Sequence, residues 1–167
     1  MAKEIEHKFL VRDNSYRTLA EGKLYRQGYI PTVNGMTVRV RIAGDQAFLT
    51  FKDHAVGLSR HEFEYPIPMD DALQLLDLMC SKPQIEKVRY VIPAGMGTNA
   101  DGSTVEGLHW EVDEFKGDNE GLVVAEIEVP EESCSFPIPE WIGAEVTGDH
   151  RYYNSALCKN PYKEWKD

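Results

Sequence analysis

The sequence predicts a mainly β (α+β) chain, an antiparallel barrel or sandwich with a few peripheral helices, on three observations. Eight segments alternate in polarity, turn chemistry separates them, and one long stretch carries the helical period. The alternating segments are 3–11, 24–30, 36–43, 46–53, 59–67, 86–92, 107–115 and 122–129. Between them lie Asn34-Gly35, Gly44-Asp45, the run from Asp53 to Gly57, Asp101-Gly102 and the run from Gly117 to Gly121. Residues 69–80 set Leu73, Leu76 and Met79 on one face, with Asp70 or Asp71 near the start, as an amphipathic helix does. Short helices are expected at 14–21 and 149–158. Residues 93–104 read as a mobile hairpin loop, and Gly95-Met96-Gly97 there is no phosphate loop, because no GK[ST] follows.

The 167 residues fit one domain, 1–167, with no internal boundary or repeat. Lys and Arg number 18 against 28 Asp and Glu, a formal net charge of −10. That balance argues against general nucleic-acid binding and against docking to an anionic membrane. No segment is apolar enough for a membrane span, and MAKEIEHKF lacks the apolar stretch of a signal peptide. Cys80, Cys134 and Cys158 are widely spaced without a CxxC, so free thiols in a reducing cytoplasm are expected.

Side-chain parity then sorts the strands. A strand points alternate residues to opposite faces. One face carries Glu4, Glu6 and Lys8, then Thr37, Arg39 and Arg41, then Thr50 and Lys52, then Arg60, Glu62 and Glu64. The same parity continues through Lys87 and Arg89, Glu111 and Asp113, and Glu126 and Glu128. The opposite face is largely apolar, as in Val38, Val40 and Ile42 or Ala125, Ile127 and Val129. A single such strand is explained by one wet side. The set differs, because acids cluster toward the chain ends and bases toward the middle, whereas a solubilising face mixes signs.

Acid-x-acid pairs recur on four strands, and paired carboxylates repel unless solvated or joined by a cation. Oxygen ligands grouped this way suit Mg²⁺ or Mn²⁺. Lys8, Arg39, Arg41, Lys52, Lys87 and Arg89 form a ladder of donors suited to successive phosphates. Metal and basic residues around one polyanion make a phosphoryl-transfer site the leading expectation.

Glu4-x-Glu6-x-Lys8, TVRVRI, LTFK, RHEFEY, EKVRY, WEVDEF, AEIEV and the tail EVTGDHRYYNSAL together resemble, in order, the CYTH proteins, or triphosphate tunnel metalloenzymes. That resemblance implies an eight-stranded, closed antiparallel β-barrel forming a tunnel for a triphosphate and divalent metal, two ions of Mg²⁺ or Mn²⁺. Carried over by motif, Glu4, Glu6, Glu126 and Glu128 would ligate metal. Asp113, Glu111, Glu62 and Glu64 would be further ligands or orient water. Lys8, Arg39, Arg41, Lys52, Lys87, Arg89 and Arg151 would hold phosphates.

The catalytic candidates are Lys87 or Lys8 as proton donor, with Glu111 and Asp113. The length and tail most resemble short bacterial members that hydrolyse inorganic triphosphate. A class IV adenylyl cyclase, a thiamine triphosphatase and a non-catalytic polyphosphate or nucleotide binder are the alternatives. Tyr25, Tyr29 and Phe48 read as core residues, His7 and His61 as packing or surface residues. A homodimer is left open, and the tail NPYKEWKD reads equally as plug, dimer contact or frayed end.

Overall fold

The computed structural model describes residues 5–53 and 61–165 of the chain. Nine strands form one antiparallel sheet: β1 (Ile5–Val11), β2 (Gly22–Ile30), β3 (Thr37–Ala43), β4 (Gln46–Lys52), β5 (Glu62–Pro66), β6 (Ile85–Thr98), β7 (Thr104–Phe115), β8 (Val123–Val129) and β9 (Ile142–Glu145). Their order across the sheet is β5-β4-β3-β2-β6-β7-β8-β1-β9. Two α-helices are present among the described residues, α1 (Met69–Leu78) and the single turn α2 (Asn154–Leu157).

All eight expected strands are found, and the mainly β class with few helices holds. Three details differ. Among the described residues no pairing joins the two ends of the ladder, so the hydrogen-bonded sheet is nine strands and open rather than eight and closed. The reason lies at β1, whose second edge is taken by β9 through Phe9↔Glu145 and Val11↔Ile142. A strand paired on both sides has no backbone groups left for β5.

The second difference is the expected loop at 93–104, most of which is strand. β6 continues to Thr98 and pairs with β7 through Gly95↔Leu108 and Thr98↔Thr104, with register shifts on either side of Gly95. Gly95 has φ +81°, a left-handed conformation that glycine adopts without strain, and it carries the strand through the irregularity. Gly97 lies so close to Leu108 and the backbone of Ser135 that a Cβ would clash at 2.8 and 2.9 Å. The third difference is that the short elements expected at 14–21 and 149–158 are mostly 3-10 turns, at Ser15–Thr18 and His150–Tyr152, followed by α2.

The apolar parity faces outward and is covered twice. On one side Phe9, Trp110, Val112, Ala125 and Ile127 pack with Tyr16, Trp141 and Ile142. On the other, Ala72 and Leu76 of α1 pack on Val40, Ile42 and Ala47. A third cluster sits on the charged parity at one end of the inner face, where Ile85, Phe115 and Val124 meet Tyr152 and Leu157 of the tail, flanked by Tyr162 and Trp165. The described part of NPYKEWKD is therefore docked on this cluster rather than frayed. Asn119 fixes it, its Oδ1 accepting the Tyr162 backbone N–H at 2.8 Å.

Candidate active site

The charged parity lines the inner face. Glu6, Lys8, Arg39, Arg41, Arg89, Glu111, Glu126, Glu128, Tyr153 and Asn154 surround a cavity of about 390 Å³. In the sheet β3 and β1 are separated by β2, β6, β7 and β8. Their side chains share one cavity only because twist and coiling curl the sheet back on itself.

Register sets the first contacts. Lys8 stands opposite Glu126, which stands opposite Glu111; Glu6 stands opposite Glu128, and Arg89 opposite Asp113. The basic side is organised by Asp113, which is buried. Arg89 donates to both of its oxygens, Nε to Oδ1 at 2.8 Å and a terminal N–H to Oδ2 at 2.9 Å, the planar fork of a bidentate pair. Lys87 Nζ donates to Oδ2 at 2.8 Å and to Asn154 Oδ1 at 3.4 Å. Arg89 also reaches Glu111 at 3.0 Å.

Burial pushes Asp113 upward, but Lys87 and Arg89 outweigh it and hold the carboxyl below its ordinary range. Burial acts on Lys87 in the other direction and wins, lowering it despite Asp113. Arg41 is lowered too, first by burial and then by the charges of Arg39 and Arg89. Arg41 Nε donates to Gln27 Oε1 at 2.9 Å, and Gln27 in turn donates to the Tyr29 hydroxyl at 3.3 Å. Among the described residues, Arg39 Nε is buried without a hydrogen-bond partner.

The acidic side gathers around β1 and β8. Lys8 Nζ donates to Glu126 Oε1 at 2.7 Å and lies 4.9 Å from the centre of the Tyr153 ring. Glu6 is pushed up to about 7 by burial, then by the charge of Glu126 and the hydrogen bond the two share; Lys8 offsets part of this. A carboxyl raised that far beside the charges of Glu126 and Glu128 marks a place where a cation is favoured. Among the described residues no three His, Cys, Asp or Glu side chains form a ready-made metal cage.

The chain matches the CYTH domain family over residues 2–155. It belongs to that family. It is 52% identical over its whole length to a protein of equal coverage named inorganic triphosphatase from Acetivibrio thermocellus. It is 35% identical to another so named from Nitrosomonas europaea, over 93% of this chain and 96% of that one. The crystal structure of the inorganic triphosphatase NE1496 superimposes with a TM-score of 0.66 at 31% identity, over 95% of each chain.

In this CYTH chain the structure brings most of the expected site residues together. Glu6, Lys8, Arg39, Arg41, Arg89, Glu111, Glu126 and Glu128 all line the one cavity. Glu4 lies outside the described residues. Asp113 and Lys87 stand behind the lining, with both carboxylate oxygens of Asp113 engaged by Arg89 and Lys87. Lys52 lines an adjoining cavity of about 590 Å³, to which Arg39, Lys159 and Tyr29 also contribute.

Two expectations are placed elsewhere. Glu62 and Glu64 are exposed on the edge strand β5, where Glu62 lies 3.7 Å from Lys52. Arg151 does not line that cavity; it pairs with Asp149 at 3.1 Å and stacks 4.9 Å from the Trp165 ring. Four residues that charge parity did not single out join the site: Tyr25, Gln27, Tyr153 and Asn154. Among the described residues no helix is long and apolar enough to cross a membrane.

Proposed function

We propose that this CYTH protein hydrolyses inorganic triphosphate to pyrophosphate and phosphate with Mg²⁺ or Mn²⁺. The observation that carries the reading is one cavity with Arg39, Arg41 and Arg89 on one side and Glu6, Glu126 and Glu128 on the other. The 52% identical relative named inorganic triphosphatase supports the same substrate class.

The arginines would bind successive phosphates through their forks and stabilise the charge that accumulates on the leaving pyrophosphate. Metal would be held by Glu6, Glu126 and Glu128, with Glu4 beside Glu6 in sequence. The oxygen-only donor set and the raised Glu6 fit a hard divalent cation. Such a cation supplies an activated water and further charge neutralisation.

Of the two candidate lysines Lys8 lines the cavity and Lys87 does not, so Lys8 is the one proposed as proton donor. Lys87 is fully buried and acts through Asp113 and Arg89, as a support for the phosphate-binding fork. Glu111, in contact with Arg89, is the carboxylate left at the cavity wall to orient water.

The test gives the purified protein tripolyphosphate, ATP and thiamine triphosphate with Mg²⁺ or Mn²⁺, and measures phosphate and cyclic AMP. Phosphate release from tripolyphosphate far above that from the other two is expected. Cyclic AMP formation, or binding without turnover, overturns the reading.

A further inference from the structure

Arg41 differs from its neighbours in how it is held. Arg89 is locked by Asp113 and Glu111, and Lys87 by Asp113. Arg41 has no carboxylate partner among the described residues, although it is largely buried and repelled by Arg39 and Arg89. What holds it is neutral. Gln27 Oε1 accepts from its Nε at 2.9 Å, and the Tyr25 ring lies 5.7 Å from its guanidinium carbon. The same ring is 4.8 Å from the Arg89 guanidinium carbon and 5.9 Å from Lys87 Nζ.

Both residues come from β2, on the inner parity, directly between the strands that supply the cations. Register sets Gln27 opposite Arg41 and Tyr25 opposite Lys87. An amide oxygen and a ring face attract a guanidinium and fix its plane, yet neither carries a formal charge to cancel it. A carboxylate at the same place would hold Arg41 more strongly and spend its charge before any ligand arrived. Gln27 is itself fully buried. Leucine would fill that space without a polar atom to satisfy; the amide instead spends its polar atoms on Arg41 and Tyr29.

We infer that Tyr25 and Gln27 are positioning residues that orient Arg41, and with it Arg89 and Lys87, while leaving the Arg41 charge uncompensated for an oxyanion. The inference rests on the triphosphate reading for its ligand. It goes beyond that reading in assigning neutral groups a role in affinity.

The experiment measures tripolyphosphate binding by calorimetry on metal-stripped protein in chelator, beside KM and kcat with Mg²⁺. Gln27→Glu is expected to weaken binding by about tenfold or more, since one full charge is removed from the ligand's side of the balance, without lowering the midpoint of thermal unfolding. Tyr25→Leu is expected to weaken binding by about tenfold and raise KM with little change in kcat. Tyr25→Phe, which keeps the ring face, is expected to stay within about twofold of wild type.

Wild-type affinity in Gln27→Glu, or equal losses in Tyr25→Phe and Tyr25→Leu, overturns the positioning role and leaves the triphosphatase reading standing. Binding by wild type without hydrolysis overturns the triphosphatase reading alone. Wild type that binds tripolyphosphate neither in chelator nor with Mg²⁺, and does not hydrolyse it, overturns both. If Gln27→Glu fails to fold, the Tyr25 pair decides.

Discussion

Asp113 is the joint of the basic side, and Asp113→Ala tests whether it is structural in the way its contacts imply. The carboxylate takes three charge-assisted hydrogen bonds, at 2.8 Å from Lys87 and at 2.8 and 2.9 Å from Arg89. Without it Arg89 keeps Glu111 at 3.0 Å, but Lys87 keeps only the longer bond to Asn154 and the ring faces of Tyr25 and Phe115. Lys87 has no exposure through which water could replace the lost partner.

An unpaired ammonium in that position sheds its proton instead of staying charged. Releasing a proton at pH 7 from a lysine of ordinary pKa about 10.4 costs about 4.6 kcal/mol, and this caps the penalty. Breaking a buried pair by removing one partner costs about 3–5 kcal/mol in general, which the cap trims to about 3–4.6 kcal/mol. At about 2–4 °C per kcal/mol for a chain of this size, the melting midpoint should fall by roughly 6–18 °C.

The sign with pH follows. In the variant Lys87 is neutral when folded and protonated when unfolded, so the unfolded state binds more protons and stability rises with pH until the unfolded lysine also titrates. Urea denaturation followed by tryptophan fluorescence between pH 6 and 9 reads both quantities. Asp113→Ala paired with Lys87→Met should be more stable than Asp113→Ala alone, because it leaves no unpaired ammonium. A loss below about 1 kcal/mol at pH 7, or a double variant weaker than the single one, refutes the reasoning.

The acidic side carries the opposite slope in metal-free protein. Glu6 titrates at about 7 when folded against an ordinary 4.5, so the folded state binds more protons between those values and stability falls as pH rises through that window. Glu6→Gln should flatten the slope in denaturation at pH 5 and pH 8; an unchanged slope would point to another group. Arg39→Ala should raise KM for tripolyphosphate by about tenfold or more, whereas Arg151→Ala should leave KM within about twofold, because Arg151 is paired with Asp149 and does not line the cavity. Equal effects in steady-state assays would return Arg151 to the site. Leu157→Ala removes a fully buried tail side chain and should cost about 2–5 kcal/mol in denaturant titration; a loss under about 0.5 kcal/mol would mean that the tail packing bears little load.

Parity was the legible part of this sequence, because burying one face of a curled sheet forces period-two alternation on every strand at once. It located Lys8, Arg39, Arg41, Arg89, Glu111, Glu126 and Glu128 on the inner face from charge alone, and the structure brings all seven to one cavity. It was blind where the inner face is neutral. β2 offers Tyr25, Gln27 and Tyr29 inward, and no charge marks them; only the register with Arg41 and Lys87 reveals what they touch. It misread Gly95-Met96-Gly97 as loop, because glycine signals a turn locally, and the contacts that keep the strand going come from Leu108 and Ser135.

β9 was missed for a related reason. Four residues are too few to show alternation, and their pairing is set by the free edge of β1 some 130 residues earlier in the chain. Tyr153 reaches Lys8, and Asn154 reaches Lys87 from 67 residues away, both carried there by a tail whose anchors, Tyr152 and Leu157, are spaced like any short apolar run. The charges could be read from the set of strands together, because each is expensive to place and so leaves few arrangements open. The neutral groups that aim them are cheap to place anywhere, and their function exists only in the pairings that the fold creates.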